Sequence, residues 1–462
     1  MTHFKTFILS CLLALAAFPA TAEEADFTVD GFGYFITSTS SLTVEVVSGP
    51  DEAVVTVPST VVFNNRTFRV TGISNYAFIN HKKLQSVDMP SITYIKDGLT
   101  PNMYIGAFTG CSNLRDVNMP AATSIGNGAF NNCDALTSVS LPAATSIGGK
   151  AFQDCDALTS VSLPAATSIG GKAFQDCDAL TSVSLPAATS IGDDAFGGCD
   201  RLTSISLPAA TSIGYGAFNN CDALTSVSLP AATSIGGEVF QDCDALTSVS
   251  LPAATSIGDD AFGGCDRLTS ISLPAATSIG DDAFGGCQAL TRVNMPAATS
   301  IGPYVFYDCG TLTSVNMPAA KYIGFMAFDG CKSLADIYVG AEPARCVASF
   351  DHVTYATATL HVPIGCASKY KAADGWKNFN FISEDYDPTD IKSTKANDVK
   401  IHTDNGSVQL TGLKEGDKVE FYSISGQLLC APIASDGTVS IRTSEHVVIC
   451  KIGVSSIKVL VK

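Results

Sequence analysis

Positive charge is scarce in this 462-residue chain: 27 lysines and arginines stand against 44 aspartates and glutamates, a formal net charge of −17. Affinity for phosphate backbones and anionic lipid heads rests on Lys and Arg neutralising phosphate, so nucleic acid is excluded as a partner. Histidine is scarcer still. His3, His81, His352, His361, His402 and His446 never recur at metal-ligand spacing, and no cysteine pair reads C-x-x-C, which argues against a zinc site. No G-x-S-x-G elbow occurs, and Gly149 with Lys150 lacks the earlier glycine of a phosphate loop. The expectation is a protein without cofactor or metal, and not an enzyme. After the first residues no apolar run reaches the ~18 residues of a membrane helix. Hydrophobic residues nevertheless make up 46% of the chain and charged ones only 15%, which places it among folded, soluble proteins.

Cysteine is abundant, and its placement organises the chain. Eleven cysteines, Cys111 to Cys331, recur at an unvarying interval of 22 residues. Residues 134–155 read DALTSVSLPAATSIGGKAFQDC, and residues 156–177 repeat them letter for letter. Identical copies require identical environments, which stacked coils of a solenoid supply and a globular fold does not. Stacked coils lie ~4.8 Å apart, slightly beyond the ~3.5–4.5 Å between Cβ atoms of a disulfide. The periodic cysteines therefore read as free thiols filling an interior column.

Within one coil, Val139 and Leu141 alternate with Ser138 and Ser140, the period-two pattern of a short half-buried strand. Pro142 ends it, having no N–H to donate. Ile147 then returns to the interior, Gly148 permits a bend, and Ala151, Phe152 and Cys155 form a second inward cluster. Inward phenylalanines from Phe78 to Phe328 count about twelve coils, with a bulged loop near residues 96–103 and His81 standing where later coils have cysteine. Asp134, Asp156 and their equivalents through Asp266 suggest calcium at first sight. Acceptance of backbone N–H bonds in the turn after the cysteine is the simpler reading, because coils with Gln288, Gly310 or Lys332 there keep their core pattern.

The pattern L-x-x-(V/I)-x-(L/M)-P-x-x-x-x-I-G-x-x-A-F-x-x-C, as in Leu180 to Cys199, resembles the BspA-type leucine-rich repeat of bacterial surface proteins over residues 71–339. Residues 23–70 alternate as strands capping the first coil. Residues 340–383, with Trp376 and Phe379, resemble the terminal cap of such repeats, Trp376 acting as a lid rather than a carbohydrate platform. Cys346 and Cys366, outside the 22-residue register, are candidates for a disulfide, free thiols being the other reading; the state of Cys430 and Cys450 is likewise open. Polar residues 384–397 read as a linker, and residues 398–462 as a small β-sandwich. The segment Ser425 to Leu429 and the ending Lys458 to Lys462 resemble the sorting domain of type IX secretion, while His446 and Val448 depart from its usual Gly and Tyr. Residues 1–22 carry Lys5, an apolar run from Phe7 to Phe18 and small residues to Ala22, the layout of a signal peptide.

The fold expected is a repeat solenoid, a leucine-rich-repeat-like stack with short parallel strands, followed by an all-β sandwich. The resemblance implies a secreted or cell-surface, outer-membrane-associated protein of a Gram-negative bacterium. It further implies adhesin-like recognition of protein ligands on host matrix, mucosal surfaces or other cells; glycan binding for carbohydrate acquisition is the alternative. Candidate contact residues are the late aromatics Tyr304, Tyr307, Tyr322 and Phe325, and the strand serines Ser138, Ser140, Ser160 and Ser162.

Overall fold

The computed structural model divides into two units, residues 1–386 and 387–462. It describes residues 23–98, 105–346 and 348–386 of the first unit; in the second it describes seven strands between Lys400 and Leu460 with parts of their connections. The signal peptide, most of the residue 96–103 loop and linker residues 387–397 lie outside the described residues.

Each coil of the first unit builds three faces. The first is a strand such as Ser138–Ser140, paired in parallel with Asp116–Asn118 so that Ser138 meets Asp116 and Ser140 meets Asn118. Fifteen such strands stack among the described residues, from Val54–Thr56 to Phe381–Tyr386, so the column runs past the twelve phenylalanine-counted coils at both ends. The ladder is interrupted after Ser138–Ser140, Ser182–Ser184 and Ser248–Ser250. The second face is a strand of only two residues, Ser146–Ile147, bonded to Ser124–Ile125 and Ser168–Ile169. Two residues have no readable period, so sequence alone did not reveal it. The third face consists of turns around Phe152 and Cys155.

Leu136, Leu141, Ala144, Ile147, Ala151, Phe152 and Cys155 are buried in this coil, and Val139 is half-buried. Thirteen phenylalanines, Phe78 through Phe350, stack with neighbouring ring centroids 4.8–5.6 Å apart. Each periodic thiol donates a hydrogen bond to the phenylalanine carbonyl of the preceding coil, as Cys155 does to Phe130 at 3.3 Å and Cys199 to Phe174 at 3.2 Å. In the first coil His81 substitutes, its Nε2 lying 3.2 Å from the Gly49 carbonyl.

Gly148 serves close approach, not the bend expected of it. A Cβ there would sit 2.6 Å from the Asn127 nitrogen of the coil before. Left-handed backbone occurs elsewhere, at two columns per coil. The residue before each cysteine, such as Asn132, Asp154, Asp176, Gly198 or Asn220, has φ between 53° and 80°, and every member is Asp, Asn or Gly, the types that tolerate it. The column two residues after Gly148 is as left-handed but unselective: Lys150, Lys172, Asp194, Glu238, Tyr304 and Met326 have φ of 51–59°. Met326→Gly should therefore raise stability by roughly 0.5–1 kcal/mol, relief of left-handed strain exceeding the extra entropy of the unfolded chain. Thermal unfolding of the variant checks this, and a lower midpoint would contradict it.

At the N-terminal end, strands Phe32–Ser38, Thr43–Ser48 and Arg66–Ile73 join the second-face sheet. Fully buried Glu45 there meets the Lys96 ammonium and accepts a hydrogen bond from the Tyr94 hydroxyl at 3.2 Å. Lys96 also donates to both Glu23 oxygens at 3.1 Å. At the other end Trp376 is fully buried against Phe350, Tyr370 and Phe379, with its indole N–H donating to the Ala344 carbonyl at 2.7 Å, so it closes the core. Cys346 and Cys366 are both free.

In the second unit, strands Lys400–Asp404, Ser407–Thr411 and Thr438–Arg442 form one antiparallel sheet; Val419–Ser423, Leu428–Cys430, Val447–Ile452 and Ser455–Leu460 form another. Val408, Leu410 and Val439 of the first sheet share a buried cluster with Val419, Phe421 and Cys450 of the second. Cys430 and Cys450 pair with opposite sides of Phe421. Two strand spacings, roughly 9.5 Å, thus separate them, too far for a disulfide, and both are free.

Candidate binding surface

The candidate residues fall on three faces. Ser138, Ser140, Ser160 and Ser162 are exposed on the strand face, but the ladder interruption separates the first pair from the second. Ser138 and Ser140 border a shallow depression over Val87, Val117 and Val139, which Asp88 and Asp116 also line. Tyr322 occupies the serine position of the second face, in register with Ser300 and Arg345. Tyr304, Tyr307 and Phe325 belong to the turn face, and these three come together. The Tyr304 ring meets Tyr307 at 5.8 Å and 82°, and Phe325 at 5.7 Å and 89°. Such edge-to-face contacts hold aromatic rings rigidly, and Tyr307 and Phe325 remain 43% and 39% exposed.

A polar cluster on the strand face escaped sequence reasoning. His361 lies between two carboxylates, with Nδ1 2.8 Å from Asp385 Oδ1 and Nε2 3.0 Å from Asp336 Oδ1. Its ring stacks on Tyr338 at 4.4 Å. Tyr386 meets Tyr338 edge-on at 5.2 Å and donates its hydroxyl to Asn316 Oδ1 at 2.9 Å, while Asn316 donates to Asn294 at 2.8 Å. Glu384, Asp385 and Tyr386 therefore end the strand Phe381–Tyr386 rather than begin a linker. The available signal was the departure from Ser-x-Ser in the last strands.

The aspartates following the cysteines do not cap turns through their carboxylates. Asp134, Asp156 and Asp178 are exposed, and it is the main-chain carbonyl of Asp134 that accepts, from Ala157 N–H at 3.1 Å. Among the described residues no group of three or more His, Cys, Asp or Glu side chains is placed to hold a metal ion. The preceding column is more perturbed: burial, with repulsion from Asp176, Asp156 and Asp134, pushes Asp154 up to about 6. Partial burial likewise raises the half-buried Asp260 and Asp282. Burial and its hydrogen bond to Glu23 push Glu45 up to about 7.

A carboxyl raised in the folded state contributes stability that is complete below its unfolded value, ~4, and is lost as pH rises through the folded value. The first unit should consequently melt at a higher temperature at pH 5 than at pH 7. Glu23, Asp374 and Asp385, whose carboxyls are held low, lose their contribution only below ~4 and do not act in that window. Calorimetry at constant ionic strength measures the shift; a melting temperature that falls toward pH 5 would refute the assignment.

The family described as "BspA type Leucine rich repeat region" matches residues 71–188, 101–225, 167–275 and 255–344, more than half of the chain. The chain belongs to this family of leucine-rich-repeat proteins. None of the curated proteins matches it in sequence. Among solved structures it is similar to a leucine rich cell surface protein from Faecalibacterium prausnitzii A2-165, at 23% identity over 78% of this chain and 98% of that one, TM-score 0.45. It is similar also to a leucine-rich repeat protein from Bacteroides ovatus ATCC 8483, at 26% identity over 73% and 99%, TM-score 0.41. The pneumococcal vaccine antigen PcpA is 16% identical over 77% and 97%, TM-score 0.41. Family membership rests on the repeat match.

Proposed function

We infer that this is an exported, non-catalytic binding protein of the bacterial surface or surroundings, adhesin-like, recognising protein ligands on host matrix, mucosal surfaces or other cells. The observation that carries the reading is the trio Tyr304, Tyr307 and Phe325, in which half-buried Tyr304 braces the exposed Tyr307 and Phe325. A rigid stack presents it, and aromatic anchors fixed in place lose little entropy on binding. The leader-like first 22 residues support export, and the C-terminal resemblance to a sorting domain supports the type IX route across the outer membrane of a Gram-negative cell.

The test is a binding screen of the mature protein against matrix proteins, mucins and glycans. Y304S/Y307S/F325S should weaken the ligand found by at least about tenfold, the loss of one or two hot-spot side chains. Deletion of residues 156–177 should leave binding nearly intact. The opposite pattern would move recognition to the Ser/Thr strand face and refute the placement. The glycan reading has one observation of its own: Tyr338, His361, Asn316 and Asn294 line up planar polar and aromatic groups on the strand face. A ligand from the glycan arm that is lost in Tyr338→Ala and kept in the triple variant would favour it.

A further inference from the structure

We propose that the aromatic trio on the turn face is a docking site for a cationic segment of a partner polypeptide, one carrying exposed Arg or Lys side chains. This rests on the reading of that face as the recognition surface and adds the chemistry of what it recognises.

Equivalent residues of adjoining coils lie ~4.8 Å apart. Tyr304 follows Asp282 in its column, and Pro303 and Phe325 follow Asp281 in theirs; Asp329 follows Tyr307. Backbone bonds fix this register, from Asp282 N–H to the Pro303 carbonyl at 3.0 Å, Tyr304 to Phe325 at 3.0 Å and Asp308 to Asp329 at 2.9 Å. The rings thus have carboxylates on both sides along the stack. Asp281 and Asp308 are exposed and Asp282 and Asp329 half-buried. Among the described residues none of the four takes part in an ion pair. The nearby cations Lys321 and Lys332 occupy other columns, one before the second-face strand and one after Cys331.

An aromatic face attracts a cation through its quadrupole, and guanidinium stacks on it better than a hydrated ammonium. Carboxylates beside the ring then supply the acceptors that guanidinium requires. An anionic or neutral partner would instead leave four carboxylates unneutralised at the contact. The net charge of −17 adds long-range attraction for such a partner and raises its encounter rate.

Titration calorimetry with hexa-arginine peptide at 0.15 M salt decides the matter. Wild-type protein should bind, Y304S/Y307S/F325S should bind at least about tenfold more weakly although no charge has changed, and Y304F/Y307F, which keeps the ring faces, should bind like wild type. D281N/D282N/D308N should also weaken binding and flatten its salt dependence. D134N/D156N/D178N, which removes as many charges from coils remote from the trio, should change affinity less than about twofold by the same screening. Absence of binding by the wild type, wild-type affinity in Y304S/Y307S/F325S, or equal losses in the two aspartate variants would each overturn the proposal. A matrix or mucin ligand that needs the trio while hexa-arginine does not bind would leave the recognition surface standing and remove only its cationic partner.

Discussion

Phe174→Ala is expected to destabilise the solenoid by about 3–5 kcal/mol, the usual range for a truncated core aromatic. Phe174 is fully buried, and its ring lies 5.2 Å from both Phe152 and Phe196. Its removal leaves a void facing two coils at once, because Phe152 and Phe196 pack on either side of it. In a quasi-one-dimensional stack, stability is approximately a sum of coil terms and nearest-neighbour interfaces. The damage should therefore stay local and divide the unfolding transition, the coils on one side of residue 174 melting apart from those on the other. Lys172→Ala is the comparison in the same turn. Its ion pair with Asp194, at 3.2 Å with the lysine side chain 40% exposed, is a surface contact of the kind worth about 0–1 kcal/mol. Urea unfolding followed by far-UV circular dichroism reads both variants. Equal losses would mean that the inward face has been misassigned.

How much of this architecture was legible depended on whether a residue's role repeats. Leu136, Ile147, Phe152 and Cys155 recur at the same offset through the coils ending at Cys133 to Cys331, so repeated copies of one environment point to the interior without any structural knowledge. Roles set by the neighbouring coil were not legible. Gly148 looks like a turn residue, whereas its constraint is the Asn127 backbone nitrogen of the coil before. The left-handed conformation of Lys150 or Met326 leaves no compositional trace, because the stack imposes it on whatever residue stands there. The column before the cysteines shows the opposite case: its restriction to Asp, Asn and Gly is the trace of positive φ. For the candidate surface, the trio was visible as late aromatic departures from the repeat, and Tyr322 was grouped with it because sequence distance says nothing about which face a side chain leaves. The His361 cluster joins residues from four strands, Asn316, Asp336, His361 and Asp385, and only the fold brings them together.

The thiols should behave in a way unusual for a cysteine-rich protein: none of the eleven periodic cysteines should react with a soluble disulfide reagent in the native state, and all should react in denaturant without reductant. Each is fully buried. Burial pushes every one of these thiols well above its ordinary range, Cys111, Cys243 and Cys309 to about 12, so the thiolate that attacks disulfides is absent. Each sulfur is moreover directed at the phenylalanine carbonyl of the coil before it, 3.0–3.3 Å away, rather than at the next sulfur. Oxidation would require breaking that hydrogen bond and pulling adjacent coils together at one point of a ladder whose spacing the strands fix. The stack thus keeps its thiols reduced by geometry, even in an oxidising compartment where accessible cysteines would pair. Counting thiols with Ellman's reagent before and after guanidinium settles the matter. Fewer than about half of the eleven appearing on unfolding would show that disulfides had formed in spite of this spacing.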